Sequence, residues 1–252
     1  MSKLISWNIA GRIKARSAQL DWIEQEEADV LALQEVIGAC DLRERLLKLG
    51  FKFFHPAKPA EGRSKLVAVA SRQPFAVISA FTVTHPERAI SCRISLNNKK
   101  VELHCVHVPD GSNYGGPIKV EFLEAVTSGL STRKLPQLLV GDFNCPRFVE
   151  PVVVTWAQKR KDGGWQLNGT RDGIARTRWD AAERSILCPR VDMSVARFCN
   201  GSAIVTYPKK VGLKGGGNCF DHVIASKTIM PRRIKPVLNL KLSDHAALVA
   251  EW

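Results

Sequence analysis

Leu138-Leu139-Val140-Gly141-Asp142-Phe143-Asn144 is a short apolar run that stops at a glycine and then presents two polar side chains. A run of this length closed by a turn signal reads as a buried strand. Polar groups at its end are held at the rim of a rigid sheet, where chemistry can be done. Alternation along the strand predicts that Asp142 and Asn144 face the same way. The same arrangement recurs along the chain. Ile5-Ser6-Trp7-Asn8 ends on Asn8, Leu33-Gln34-Glu35 ends on Glu35, and a hairpin arm runs into His107-Val108-Pro109-Asp110-Gly111. Phe220-Asp221-His222-Val223-Ile224 and Ser243-Asp244-His245 complete the set. Singly, each is ordinary, because an Asp or Glu at a strand end is most often a turn or cap residue. Six such clusters in one chain point to a shared polar edge.

Outward from these clusters the chain alternates strands and helices. Strands are expected at Lys3–Asn8, Val30–Gln34, Lys65–Ser71, Ile90–Leu96, Val101–Val108, Gln137–Val140, Ala203–Tyr207, Phe220–Ser226, Arg233–Leu238 and Ala246–Trp252, with Asn97-Asn98 as a hairpin turn. Helical spacing appears at Arg16–Glu27 (Leu20 and Ile23 inward), Leu42–Leu49 (closed by Gly50) and Ile118–Leu130. A further helix is expected over Pro151–Lys161, with Pro151 in its first turn. Residues 162–200 show no steady period. No linker or repeat interrupts the chain, so residues 1–252 read as a single α/β (α+β) domain.

The 252 residues carry 37 Lys and Arg against 24 Asp and Glu, a net charge of +13. The excess is uneven: residues 1–126 hold 17 basic and 14 acidic side chains, residues 127–252 hold 20 and 10. A polyanion is drawn to such a surface by counterion release, which makes nucleic acid the leading partner. Lys209, Lys210 and Lys214, running into Gly215-Gly216-Gly217 just before Asp221, are the best-placed candidates for a nucleic-acid backbone contact. Seven scattered cysteines, without a C-x-x-C pair, read as reduced thiols. The first residues are too short an apolar run for a signal peptide, and no segment approaches the roughly 20 apolar residues of a membrane span. A monomer in a bacterial cytoplasm is expected in preference to a nuclear protein, neither secreted nor inserted in a membrane.

Taken in order, the clusters from Trp7-Asn8 to Ser243-Asp244-His245, with Gly141-Asp142-Phe143-Asn144 between them and Thr206-Tyr207-Pro208 shortly before Asp221, resemble the endonuclease/exonuclease/phosphatase family. Its members include deoxyribonuclease I, the apurinic/apyrimidinic endonucleases and the inositol polyphosphate 5-phosphatases. The resemblance implies a four-layered α/β sandwich, two mixed sheets face to face with helices outside. It also implies a Mg²⁺ ion, replaceable by Mn²⁺, with Glu35 as principal ligand and Asn8 and Asp244 close to it. Oxygen ligands suit that ion, and no His/Cys cluster has zinc spacing: His104 and His107, three apart on a strand, face opposite ways. Asp142 would deprotonate the attacking water and Asn144 would hold water and phosphate in line. Asp221 would orient His245 as an imidazolium facing the phosphorus centre, and His107 would contact the phosphate or protonate the leaving group. Two positions depart from the apurinic/apyrimidinic endonucleases: Ala10 stands where they have Asp, and His107 where they have Tyr. The function so implied is a Mg²⁺-dependent phosphodiesterase cutting nucleic acid, DNA weakly preferred. The alternative is a phosphatase or phosphodiesterase acting on small or lipid-linked esters or blocked DNA ends.

Overall fold

The structure is a computed structural model that describes residues 2–110, 116–145, 157–159, 165–167, 170–171, 174–187, 192–195, 206–208 and 217–252. In chain order its elements begin β1 (Lys3–Asn8), α1 (Arg16–Gln25), β2 (Val30–Val36), α2 (Ala39–Lys48), β3 (Phe53–Pro56) and β4 (Leu66–Ser71). There follow β5 (Ala76–Ile78), β6 (Ala89–Leu96), β7 (Lys99–His107), α3 (Gly116–Ser131) and β8 (Gln137–Asp142). Next come the short strands β9 (Ala157–Lys159), β10 (Trp165–Leu167), β11 (Thr170–Arg171) and β12 (Ile174–Ala175), then α4 (Arg176–Leu187) and β13 (Met193–Val195). The chain closes with β14 (Tyr207–Pro208), β15 (Gly217–Asn218), β16 (Asp221–Ser226), β17 (Arg233–Val237) and β18 (Ala247–Glu251).

Two six-stranded mixed sheets are formed, in the orders β17-β18-β1-β2-β4-β3 and β13-β16-β8-β7-β6-β5. Side-chain alternation decides what each face touches. Leu4, Val30, Ala32, Val67, Val69, Leu248 and Ala250 of the first sheet share one buried cluster with Cys92, Leu103, Cys105, Leu138, Val140, Val223 and Ala225 of the second. The intervening residues of β1 and β2, Ile5, Trp7, Leu31 and Leu33, pack outward on Leu20 and Ile23 of α1 and on Leu42 and Leu46 of α2. On the far side, Val106, Leu139 and Ile224 meet Val120, Leu123 and Val126 of α3 and Trp179, Ala182 and Ile186 of α4. The result is the expected four-layered sandwich. The five described cysteines are free thiols, and Cys188 and Cys199 lie outside the described residues. No described helix is long and apolar enough to cross a membrane.

Some expectations fail for physical reasons. Within the helix expected at Pro151–Lys161, Ala157–Lys159 is instead strand β9, paired antiparallel with β10, and the other residues of that span lie outside those described. The preceding Val152-Val153-Val154-Thr155 is β-branched throughout and loses side-chain freedom in a helix. Residues 162–200 do contain a helix, α4, whose buried face is Trp179, Ala182, Glu183 and Ile186. That spacing is helical, but a buried Glu breaks the apolar pattern. The edge strands β3 and β5 give no clear signal, being short and half solvated.

Gly141 is the glycine whose identity the fold demands. Its φ is +140°, and a Cβ there would lie 1.9 Å from the Val106 carbonyl oxygen on the neighbouring strand. Because that obstacle is backbone, Gly141→Ala has to push β7 and β8 apart. Urea unfolding of this variant should show a loss of about 3 kcal/mol or more, at the upper end of overpacking costs.

Candidate active site

Asn8, His107, Asp142 and Asp221 all stand in line with side chains that fill the space between the sheets: Leu4 in β1, Leu103 and Cys105 in β7, Leu138 and Val140 in β8, Val223 and Ala225 in β16. Each is the last or first residue of its strand, so each inward-facing polar group sits where the sandwich opens. Strand pairing sets their level, with His107 opposite Asp142 in the parallel β7/β8 pair and Asp221 opposite Asp142 in the antiparallel β16/β8 pair. Oδ2 of Asp142 is the point of convergence. Asn8 Nδ2 donates to it at 3.0 Å, and the Nε2 atoms of His107 and His245 each lie 3.7 Å away. Asn144 is brought in by a turn rather than by the expected strand alternation. The strand ends at Asp142, Asn144 adopts φ +47°, and its N–H donates to Asp142 Oδ1 at 2.9 Å while its side chain donates to Val108 O. This is the Asx-turn geometry, and Asn tolerates it well.

Glu35 reaches the site by a different device. Strict alternation would send it outward with Leu31 and Leu33. A register shift between Leu33 and Val36 inserts it as an extra residue with φ +55°, and Val36 returns to the outer face. Its Oε1 lies 3.8 Å from His107 Nε2, and Lys65 Nζ sits 2.5 Å from Oε2. Lys65 was not anticipated. It precedes the apolar stretch of β4, and only the pairing of Val36 with Leu66 brings it across from Glu35.

His245 lies just before β18 and is held on several sides. Its Nδ1 donates to Asp221 Oδ2 at 3.0 Å, its backbone N–H to Ser243 Oγ, and its carbonyl accepts from Trp7 Nε1. The Tyr207 ring lies 4.8 Å from it. Thr206 ties the segments together: its Oγ1 accepts from the backbone of Phe220 and Asp221, and its carbonyl accepts from Ala246 N. Burial disfavours the imidazolium, but the carboxylates of Asp221 and Asp142 outweigh it and raise the His245 pKa to about 10. Burial pushes Asp142 the other way for a carboxyl, up to about 6, against the pull of His245. His107 is held well below the ordinary value, first by burial and then by Arg88, His245 and Lys65, so its imidazole is neutral. A buried acceptor near 6 beside a buried imidazolium is a charge pair suited to moving a proton onto one group while stabilising an anion with the other.

Among the described residues, the acid and imidazole groups whose ligand atoms lie within 4.8 Å of one another are Asp142, Asp221 and His245. A metal-bound histidine must be neutral, and Asp221 keeps this one protonated, so the trio is a poor metal centre. Glu35, Asn8 and Asp244 are the better set for a hard cation, since all offer oxygen. Asp244 Oδ1 is buried without a hydrogen-bond partner among the described residues, its nearest cation being Arg12 Nη2 at 3.8 Å. The residues present therefore fit a divalent ion. Lys209, Lys210 and Lys214 lie outside the described residues.

Residues 5–245 match the Endonuclease/Exonuclease/phosphatase family. The chain belongs to it. It is a hydrolase acting on phosphoric esters, in a family that generally depends on a divalent metal. No curated protein matches the chain. Similar solved structures include an AP endonuclease from Archaeoglobus fulgidus, 18% identical, with a TM-score of 0.71 over 100% of this chain and 99% of that one. The 3′ phosphatase NExo from Neisseria, bound to a product DNA hairpin, is 17% identical with a TM-score of 0.70 over 100% and 99%. A humanized D. rerio TDP2 is 14% identical with a TM-score of 0.65 over 99% and 97%. At these identities the likeness is one of fold.

If Asp221 holds the proton on His245, removing its charge must lower the His245 pKa. In Asp221→Asn the ring-proton NMR titration of His245 should move down from near 10 by at least one unit, whereas a neutral-to-neutral exchange such as Thr127→Ser, far from the site, should leave it in place.

Proposed function

We propose that this hydrolase cleaves phosphodiester bonds of nucleic acid, DNA weakly in preference to RNA, with Mg²⁺ as its cation and Mn²⁺ able to replace it. The observation that carries the reading is the buried Asp142 carboxylate, ringed by Asn8, His107 and an Asp221-held His245 at the open end of the two sheets. The net charge of +13, concentrated after residue 126, supports a polyanionic substrate.

Asp142 accepts a proton from the attacking water, for which a pKa near 6 suits it at neutral pH. Asn8 and the Asn144 backbone N–H hold its two oxygens, so the acceptor is aimed before substrate arrives. His245, kept as an imidazolium by Asp221, faces the negative charge that develops on the phosphoryl oxygens. His107, neutral and buried, donates a hydrogen bond to a phosphate oxygen. Glu35, Asn8 and Asp244 would hold the cation, which supplies charge neutralisation on phosphate oxygen and assistance to the leaving oxygen. Lys209, Lys210 and Lys214 are proposed to contact the backbone of a long substrate.

Glu35→Gln and Asp142→Asn should each lower kcat on plasmid or oligonucleotide DNA by at least roughly 10²-fold while leaving the fold intact by circular dichroism. EDTA should abolish cleavage and Mg²⁺ restore it. Raising salt should weaken cleavage of long DNA steeply. Salt-insensitive release of phosphate from small esters, with DNA untouched, would overturn the assignment to nucleic acid.

A further inference from the structure

On the helix side of β8, behind the turn that carries Asp142, two helices bury a charge pair. Lys119 of α3 and Glu183 of α4 are each fully buried, with Nζ and Oε1 2.5 Å apart. The same ammonium donates to the main-chain carbonyl of Asn144 at 2.8 Å and lies 5.3 Å from the centre of the Trp179 ring. As a source of stability this is a poor choice, since desolvation offsets the attraction and apolar residues of similar volume often serve as well or better. Its position suggests another reason for it. Asn144 is anchored at three points: N–H to Asp142 Oδ1, side-chain amide to Val108 O, and carbonyl to Lys119. The first is to the site carboxylate, and the third comes from the helix layer on the opposite side of the sheet. Asn144 also adopts a left-handed φ of +47°, which Asn accepts readily, so the turn has one defined shape for these anchors to hold.

We infer that Lys119 is a positioning residue for the hydrolytic step: by holding the Asn144 carbonyl it locks the turn whose N–H aims the Asp142 carboxylate, and Glu183 compensates its charge in the dry interior. Asp142 and Asn144 belong to the reading proposed above, and the inference rests on it. It gives α3 and α4 a direct hold on the reacting centre. An apolar side chain at position 119 would fill the space and remove the anchor.

The test separates the packing of these helices from the anchor. The apolar pair Lys119→Met/Glu183→Leu leaves no lone charge, so it should fold with an unfolding midpoint close to the parent's. Its kcat on DNA should nevertheless fall 10- to 100-fold, with KM and Mn²⁺ affinity, read by electron paramagnetic resonance, within about twofold. In an Asp142→Asn background the same pair should add less than about twofold, because its effect passes through the Asp142 carboxylate. Parental kcat in the folded pair, or a loss that multiplies with that of Asp142→Asn, would overturn the inference. Should the apolar pair not fold, Lys119→Met/Glu183→Gln, which is neutral and leaves no donor at position 119 for the Asn144 carbonyl, is read by the same two criteria. If Asp142→Asn alone leaves kcat unchanged, the role given to Asp142 in the proposed function fails instead, and the two failures are distinct.

Discussion

A carboxylate that is 1% exposed at the open end of two packed sheets constrains everything around it. Asp142 cannot remain charged there without donors on each oxygen and a cation nearby. The donors are Asn8 and the Asn144 backbone, and the cation is His245. Each comes from a different part of the chain, so β1, β7, β8, β16 and the segment before β18 must all reach the same level. Side-chain alternation makes this possible. The same period that sends Leu138 and Val140 into the core delivers Asp142 to its rim, and a one-residue slip of β16 against β8 would turn Asp221 away from His245.

Backbone strain gathers at the same place. Among the described residues, six non-glycine positions have positive φ: Ala10, Glu27, Glu35, Asn97, Asn98 and Asn144. Asn97 and Asn98 make the β6–β7 hairpin turn, a natural use of Asn. Ala10, Glu35 and Asn144 flank the site; Asn suits this region, whereas Ala10 and Glu35 each cost on the order of 1–3 kcal/mol that the surrounding contacts must offset. Ala10 N donates to Asn8 Oδ1, fixing the amide that in turn holds Asp142. The Glu35 bulge re-aims a carboxylate that regular pleating would have directed into the α1/α2 layer.

Charge is used differently at the far end of the second sheet. Glu102 there accepts from Arg133, Arg93 and Gln137, and although burial opposes it, these partners bring its pKa down to about 2. Gln137 also accepts from His104, whose burial lowers its pKa to about 4. His104 and His107 thus lie on opposite faces of β7, one neutral within a structural network and one neutral at the site. The network ties β6, β7 and β8 together at the end away from Asp142, while the Lys119–Glu183 pair sits against the turn at Asn144.

The strand ends were legible because short apolar runs closed by Asn8, Glu35, His107, Asp142 and Asp221 each carry a local signal, and their order along the chain pointed to the family before any contact was known. Gly141 was equally readable as a stop, though not as the residue that lets β7 approach β8. Contacts between distant residues left no such trace. The Lys65–Glu35 pair depends on the register of β4 against β2, the inward aim of Glu35 on a bulge, and the position of Asn144 on an Asx turn that replaced simple alternation. The helix α4 was hidden because one of its buried residues, Glu183, is charged, and a charge inside a core is explained only by a partner 64 residues away. Periodicity is a property of neighbouring residues and can be read from them. Register, bulges and buried charge pairs arise when separate segments meet, so only the tertiary structure decided them.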